Sequence, residues 1–150
     1  MKLDLQGAFE VTATPEAAYA FLTDARAFAP LVPMFKELRE IADEQFIVVL
    51  EVGVPQVRGR VDTQVRITAR DPGRHAAFAT TSRHPLGVAD NALAFTLEPT
   101  DRGATVHWTC VSTVHGTLAS LASGLLTPLA TRNIHAMIAS IQSALSRSEP

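Results

Sequence analysis

The sequence predicts an α+β fold: seven sequential antiparallel strands forming one sheet, with a long C-terminal helix over its apolar face. Three observations carry this. Apolar and polar side chains alternate through residues 2–12 and most of 35–114, the period of strands buried on one side. Turn-forming runs such as Asp71-Pro72-Gly73 and Pro85-Leu86-Gly87 punctuate that alternation. After Gly116 the apolar period becomes helical and stays so to Leu145.

In the first strand Leu3, Leu5, Gly7, Phe9 and Val11 share one face, while Lys2, Asp4, Gln6, Glu10 and Thr12 mostly share the other. Thr14-Pro15 reads as an N-cap with proline at the first helical position. About three turns of helix should follow, with Ala18, Phe21 and Leu22 as its apolar side. Asp24 can cap a second short helix over residues 25–32, broken by Pro30 and stopped by Pro33. Strands are expected over 36–42 and 45–53, separated by Asp43-Glu44; Phe46, Val48, Leu50 and Val52 share a face of the second. Residues 57–70 alternate most clearly. Val57, Gly59, Val61, Thr63, Val65, Ile67 and Ala69 point one way, and four arginines, Arg58, Arg60, Arg66 and Arg70, point the other. Strands over 75–83, 88–98 and 104–114 complete the set, the second placing Leu93, Phe95 and Leu97 inward. Thr117 can cap the final helix, and Pro128 should kink or split it.

Composition narrows the function. The chain has 150 residues, read as a single domain over 1–150. Hydrophobic residues make up 47% and charged residues 19%, yet no apolar run is long enough for a membrane span. A formal charge of -2 argues against nucleic acid as a partner. The single cysteine, Cys110, cannot make an internal disulfide or a thiolate zinc site. The first residues lack the apolar run of a signal peptide, so a cytoplasmic setting is expected. Within 103–150 the charged residues are Arg132, Arg147 and Glu149, which suits a helix that is buried or meets a partner.

No phosphate loop, dinucleotide fingerprint, zinc-protease helix or nucleophile elbow is present. His107 and His115 share a strand face eight residues apart, roughly 26 Å in extended chain, too far for one metal ion. We expect no metal, cofactor or catalytic residue. Glu51, Asp62, Asp90 and His107 fall on the outward parity, leaving Thr63, Thr80, Ser82, Asn91 and Ser112 as inward polar groups that do not titrate near neutral pH. Cys110 reads as a buried, inert thiol beside Trp108. The arginine stripe reads as a solvated face, with attraction of an anionic partner or lipid headgroups as the functional alternative.

The order of elements resembles the helix-grip fold of the START/polyketide-cyclase superfamily, in which a curved seven-stranded sheet grips a C-terminal helix around a cavity. Within it the chain resembles the family of the carbon monoxide dehydrogenase G subunit (CoxG), through PEAAYAFLTD at 15–24, VGVPQVRGRV at 52–61 and HGTLASLASGLL at 115–126. Pro33-Met34-Phe35 departs from the family's usual Pro-Gly turn after the second helix. Some relatives carry a C-terminal membrane tail. This sequence reaches Pro150 directly after the helix, so no stable membrane insertion is expected, only peripheral contact at the inner face.

The resemblance implies a cavity. Phe78, Leu93, Phe95, Val106 and Trp108 should line its sheet side, with Thr63 as a polar group, and Leu125, Leu129 and Met137 its helix side. Phe28, Leu31 and Met34 should stand near an entrance. Gly59, Thr63, Ala77, Ala79, Ala92 and Ala94 should leave room. Such walls suit a lipophilic molecule with one or two polar ends. The leading reading is a non-catalytic binder or carrier of a quinone- or lipid-like molecule, accessory to a molybdenum hydroxylase of the carbon monoxide dehydrogenase type. A cyclase or dehydrase acting on an aromatic or polyketide-like substrate is the second reading. It requires His75, His107, Asp90 or Glu51 at the cavity wall. An interaction protein using its charge-poor last helix, as monomer or homodimer, is the third.

Overall fold

Each strand expected from the alternation forms, the one expected over 36–42 as Phe35–Arg39; all but the first pair with a sequence neighbour, and the first pairs with the last. The computed structural model describes residues 2–54, 57–121 and 127–147. Strand β1 (Lys2–Val11) precedes helices α1 (Pro15–Leu22) and α2 (Ala25–Phe28) and a 3-10 turn (Ala29–Leu31). Then come β2 (Phe35–Arg39), β3 (Gln45–Val54), β4 (Val57–Asp71), β5 (His75–His84), β6 (Gly87–Thr100) and β7 (Gly103–Gly116), followed by α3 (Thr117–Leu121) and α4 (Thr127–Arg147). The seven strands form one curved antiparallel sheet in the order β1-β7-β6-β5-β4-β3-β2. Successive hairpins place β2 to β7 side by side, and β1 docks on β7 with Phe9 opposite Val106.

Local chemistry sets the helix ends. The Thr14 hydroxyl accepts the Ala17 N–H at 3.2 Å, and Pro15 needs no partner in the first turn. Helix α1 spans two turns, not the expected three. Asp24 caps α2 by accepting the Arg26 N–H at 3.1 Å, and a capping residue takes extended dihedrals that the preceding helix cannot contain. Pro128 lies in the first turn of α4, where a missing N–H costs nothing. The expected course through 122–126 lies outside the described residues.

Inward residues of all seven strands gather on the concave face. Phe46, Val48, Val65, Ile67, Phe78, Phe95, Leu97 and Val106 are buried there with Ala18, Tyr19 and Leu22 of α1 and with Ile141 and Leu145 of α4. Two expectations need correction. Ala69 is exposed, because the β4–β5 register shifts between Ile67 and Ala69 and turns it outward. Ala77, Ala79, Ala92 and Ala94 lie on the convex face, alternating with inward Phe78 and Leu93. They make no room inside.

A smaller apolar cluster closes one end of the concave face: Val52, Val61, Val114 and Leu118, with Met34 and Leu86 against them. The hairpin between β5 and β6 is clasped there. The Leu118 N–H donates to the Leu86 carbonyl at 2.9 Å, and a Cβ on Gly87 would stand 2.1 Å from the His115 carbonyl oxygen. Gly87→Ala should therefore destabilise the protein by about 2 kcal/mol or more, read as a lowered midpoint in urea. Gly53→Ala, whose Cβ would meet nothing within 4 Å among the described residues, should stay within about 0.5 kcal/mol.

Candidate functional site

Period-two alternation places Phe46, Phe78 and Phe95 on the concave face, and Tyr19 of α1 and Phe28 of α2 join them into an unbroken line of rings. Tyr19 reaches from α1 edge-on to Phe95, their centroids 6.2 Å apart. Phe95 meets Phe78 at 6.1 Å, Phe78 meets Phe28 of α2 at 6.4 Å, and Phe28 meets Phe46 at 5.9 Å. Trp108 is the cross-strand neighbour of Phe95 and lies over Gly7, where a Cβ would come within 2.8 Å of its ring. The glycine that weakens β1 as a strand former is what lets the indole lie flat.

Across this face runs a band of neutral polar side chains. Thr63 and Ser82 share a hydrogen bond of 2.7 Å between β4 and β5. The Asn91 amide donates to the Thr80 hydroxyl at 2.9 Å, and Ser112 stands opposite Asn91 on β7. Thr63 with Ser82 and Asn91 with Thr80 bond in pairs. Two others differ: among the described residues the Tyr19 hydroxyl and the Trp108 Nε1 are buried without a hydrogen-bond partner. Each such group costs about 1–3 kcal/mol relative to a satisfied one.

Helix α4 covers the face incompletely. It approaches β1 on one flank and the 3-10 turn on the other. Ile141 and Leu145 are buried beneath it, Met137 packs on the same core, and the Gln142 amide donates to the Glu10 carbonyl at 2.9 Å. Leu93 and Trp108 stay half-buried although both point inward, as do Phe28 and Leu31. Val106, Phe78 and Phe95 are buried, as is Thr63. Met34 packs in the end cluster and has φ 68°, a left-handed conformation unfavourable for a side chain with a Cβ. Leu129 is half-buried near the start of α4, and Leu125 lies outside the described residues.

The four side chains that acid–base chemistry would require are all on the convex face. His75 Nδ1 is 2.9 Å from the Thr96 hydroxyl, and His107 Nε2 is 3.5 Å from Glu98. Asp90 accepts from Thr81 at 2.8 Å, and Glu51 lies 3.8 Å from Lys36. His84 has the inward parity at the very end of β5, beyond the strand that the alternation marks out. Its Nδ1 accepts the Leu86 N–H at 3.1 Å, so the proton sits on Nε2, which faces the Arg58 carbonyl at 3.3 Å. Among the described residues no cluster of three or more His, Cys, Asp or Glu is placed to hold a metal ion.

Part of the arginine stripe is paired: Arg70 with Glu44 at 3.1 Å, and Arg74, beyond it, with Asp71 at 3.5 Å. Arg39, outside the stripe, bonds Asp62 at 2.7 Å. These are exposed pairs of small energetic weight.

The family model of the carbon monoxide dehydrogenase G subunit (CoxG) matches residues 7–146. The chain belongs to that family. No curated protein matches it. Among solved structures it is similar to a conserved protein from Geobacillus kaustophilus, at 22% identity over 97% of both chains with a TM-score of 0.88. It is also similar to the Zhui aromatase/cyclase from Streptomyces sp. R1128, at 15% identity over 98% of this chain and 95% of that one, with a TM-score of 0.74. A protein from Thermus thermophilus aligns over 100% of both chains at 15% identity, with a TM-score of 0.69. At these identities the structures establish the shared helix-grip fold. Among the described residues no helix of this CoxG-family chain is long and apolar enough to cross a membrane.

Cys110 lies on the concave face, opposite Leu5 and Leu93. Burial pushes its thiol above the ordinary value, and the Asp4 carboxylate adds to the shift. The folded chain therefore holds this proton at a pH where the unfolded chain has lost it. Stability should fall as pH rises above about 8.5. Cys110→Ala should flatten that alkaline limb in urea titrations. At neutral pH the native thiol should react with Ellman's reagent much more slowly than the unfolded chain does.

Proposed function

We propose that this CoxG-family protein binds and carries an uncharged, lipophilic small molecule between the concave face and α4. One observation carries the reading. The face is apolar and aromatic, its polar groups are neutral, and His75, His107, Asp90 and Glu51 stand on the convex side. A charged ligand entering there would lose its hydration without gaining a counter-charge. A flat lipophile would exchange water for ring faces and edges. The incomplete cover by α4 leaves inward residues such as Leu93 and Trp108 partly accessible, as a face awaiting a ligand would be.

Family membership extends the proposal. A quinone- or lipid-like cargo accessory to a carbon monoxide dehydrogenase-type molybdenum hydroxylase fits both the face and the family. Cyclase or dehydrase chemistry is the competing reading, favoured by the aromatase/cyclase neighbour and opposed by the convex placement of His75, His107, Asp90 and Glu51.

Mass spectrometry of an organic extract from the natively purified protein tests the proposal, with a mock purification as control. We expect an uncharged lipophile at about one per chain, or stoichiometric uptake when the stripped protein is offered a quinone or lipid extract. A protein that is empty and takes up nothing contradicts it. Recovery of a polyketide altered by incubation with the protein would favour the enzyme.

A further inference from the structure

We infer that the Tyr19 hydroxyl and the Trp108 indole N–H are the two donors that select a ligand by its hydrogen-bond-accepting oxygens. The inference rests on the carrier reading and adds residue roles to it. Among the described residues three buried polar side-chain atoms lack hydrogen-bond partners: Tyr19 OH, Trp108 Nε1 and Arg39 Nε. The arginine is accounted for. Its guanidinium bonds Asp62 at 2.7 Å and lies 3.9 Å from Glu37, away from the concave face. The other two have no such compensation. Tyr19 is 8% exposed, and its ring runs from α1 onto Phe95. Trp108 is the neighbour of Phe95 on the adjacent strand. Tyr19 and Trp108 thus both neighbour Phe95, with the indole Nε1 lying over Gly7 of β1.

Their chemistry defines what they can receive. An indole N–H donates only, and a phenol donates one proton. The neighbouring hydroxyls and amide bond one another, Thr63 with Ser82 and Asn91 with Thr80, and neither donor has any of them as a partner. The complementary ligand therefore brings acceptor oxygens. It is neutral, because Glu51, Asp90, His75 and His107 stand on the convex face and His84, at the end of β5, is engaged by the Leu86 N–H and the Arg58 carbonyl; it is flat, because the surrounding walls are rings. Carbonyl oxygens on an aromatic or quinonoid skeleton meet all three conditions. The band of Thr63, Ser82, Thr80 and Asn91 is left as polar lining whose members bond one another.

Two probes that share a carbon skeleton, one with and one without carbonyl oxygens, separate this inference from the carrier reading. They are 2,3-dimethyl-1,4-naphthoquinone and 2,3-dimethylnaphthalene; the methyl groups block addition of Cys110 to the quinone ring. Binding of each to the intact protein is measured by calorimetry for the wild type, Tyr19→Phe and Trp108→Phe. The wild type should prefer the quinone, and each variant should lower the quinone-to-hydrocarbon affinity ratio by roughly fivefold or more. Tyr19→Phe should also leave the thermal midpoint unchanged or raise it, since it removes an unpartnered donor without changing the ring. A wild type that binds both probes, with ratios unmoved in both variants, overturns the assignment and leaves the carrier reading standing. A lowered midpoint in Tyr19→Phe also overturns it, by showing that the hydroxyl is satisfied in the free protein. A wild type that binds neither probe removes the carrier reading for this class of ligand, and the inference with it.

Discussion

A sheet of seven strands is wider than a helix can cover. At a spacing of about 4.8 Å its strands span roughly 29 Å, whereas a helix with its side chains is about 10–12 Å across. Curvature narrows the gap, and α1, α2 and the 3-10 turn take up part of the concave face. The rest falls to α4, which meets the sheet at β1 and the opposite flank at the 3-10 turn. The half-buried state of inward Leu93 and Trp108 follows from that geometry, as does the use of large rings to fill the face. A flat aromatic ring buries much surface for few lost rotamers, which suits a space too broad for aliphatic side chains to interdigitate.

How far this was legible in the sequence depended on whether the signal was local. Alternation recorded which face each strand buries, and turn residues recorded where each strand ends, so β3 to β7 could be read to within a few residues. The bulge after Ile67 could not be read, because nothing in Thr68-Ala69 distinguishes a register shift from continued alternation. The four alanines were misplaced for another reason. Small size suggested a cavity, yet strict alternation with Phe78, Leu93 and Phe95 already required the opposite face. Applied consistently, the period would have placed them correctly.

The site was half legible by the same logic. Phe78, Phe95, Val106 and Trp108 followed from parity, but the contacts among rings from α2, β3, β5 and β6 are tertiary and leave no mark at any sequence spacing. Tyr19 was passed over, although a lone tyrosine on the face of α1 that also carries Ala18 and Leu22 was a usable signal. Met34 shows the reverse case. The family resemblance calls for a glycine in this turn, and the structure explains why, since the position is left-handed. The methionine accepts that backbone cost and packs its side chain against Val52, Val61, Val114 and Leu118.

The pairing of β1 with β7 bears on how the chain reaches this state. Lys2 lies opposite Thr113, so the first strand made must wait for the last before it has a partner. The hairpins from β2 to β7 close short loops and can form as the chain lengthens, whereas the β1–β7 ladder closes the whole chain between Val11 and Ala104 at a higher entropic cost. On a ribosome, β1 and the concave face therefore emerge long before α4 is available to cover them. The nascent chain passes through a stage with an open strand edge and exposed aromatic rings, the stage at which chaperones engage and aggregation begins.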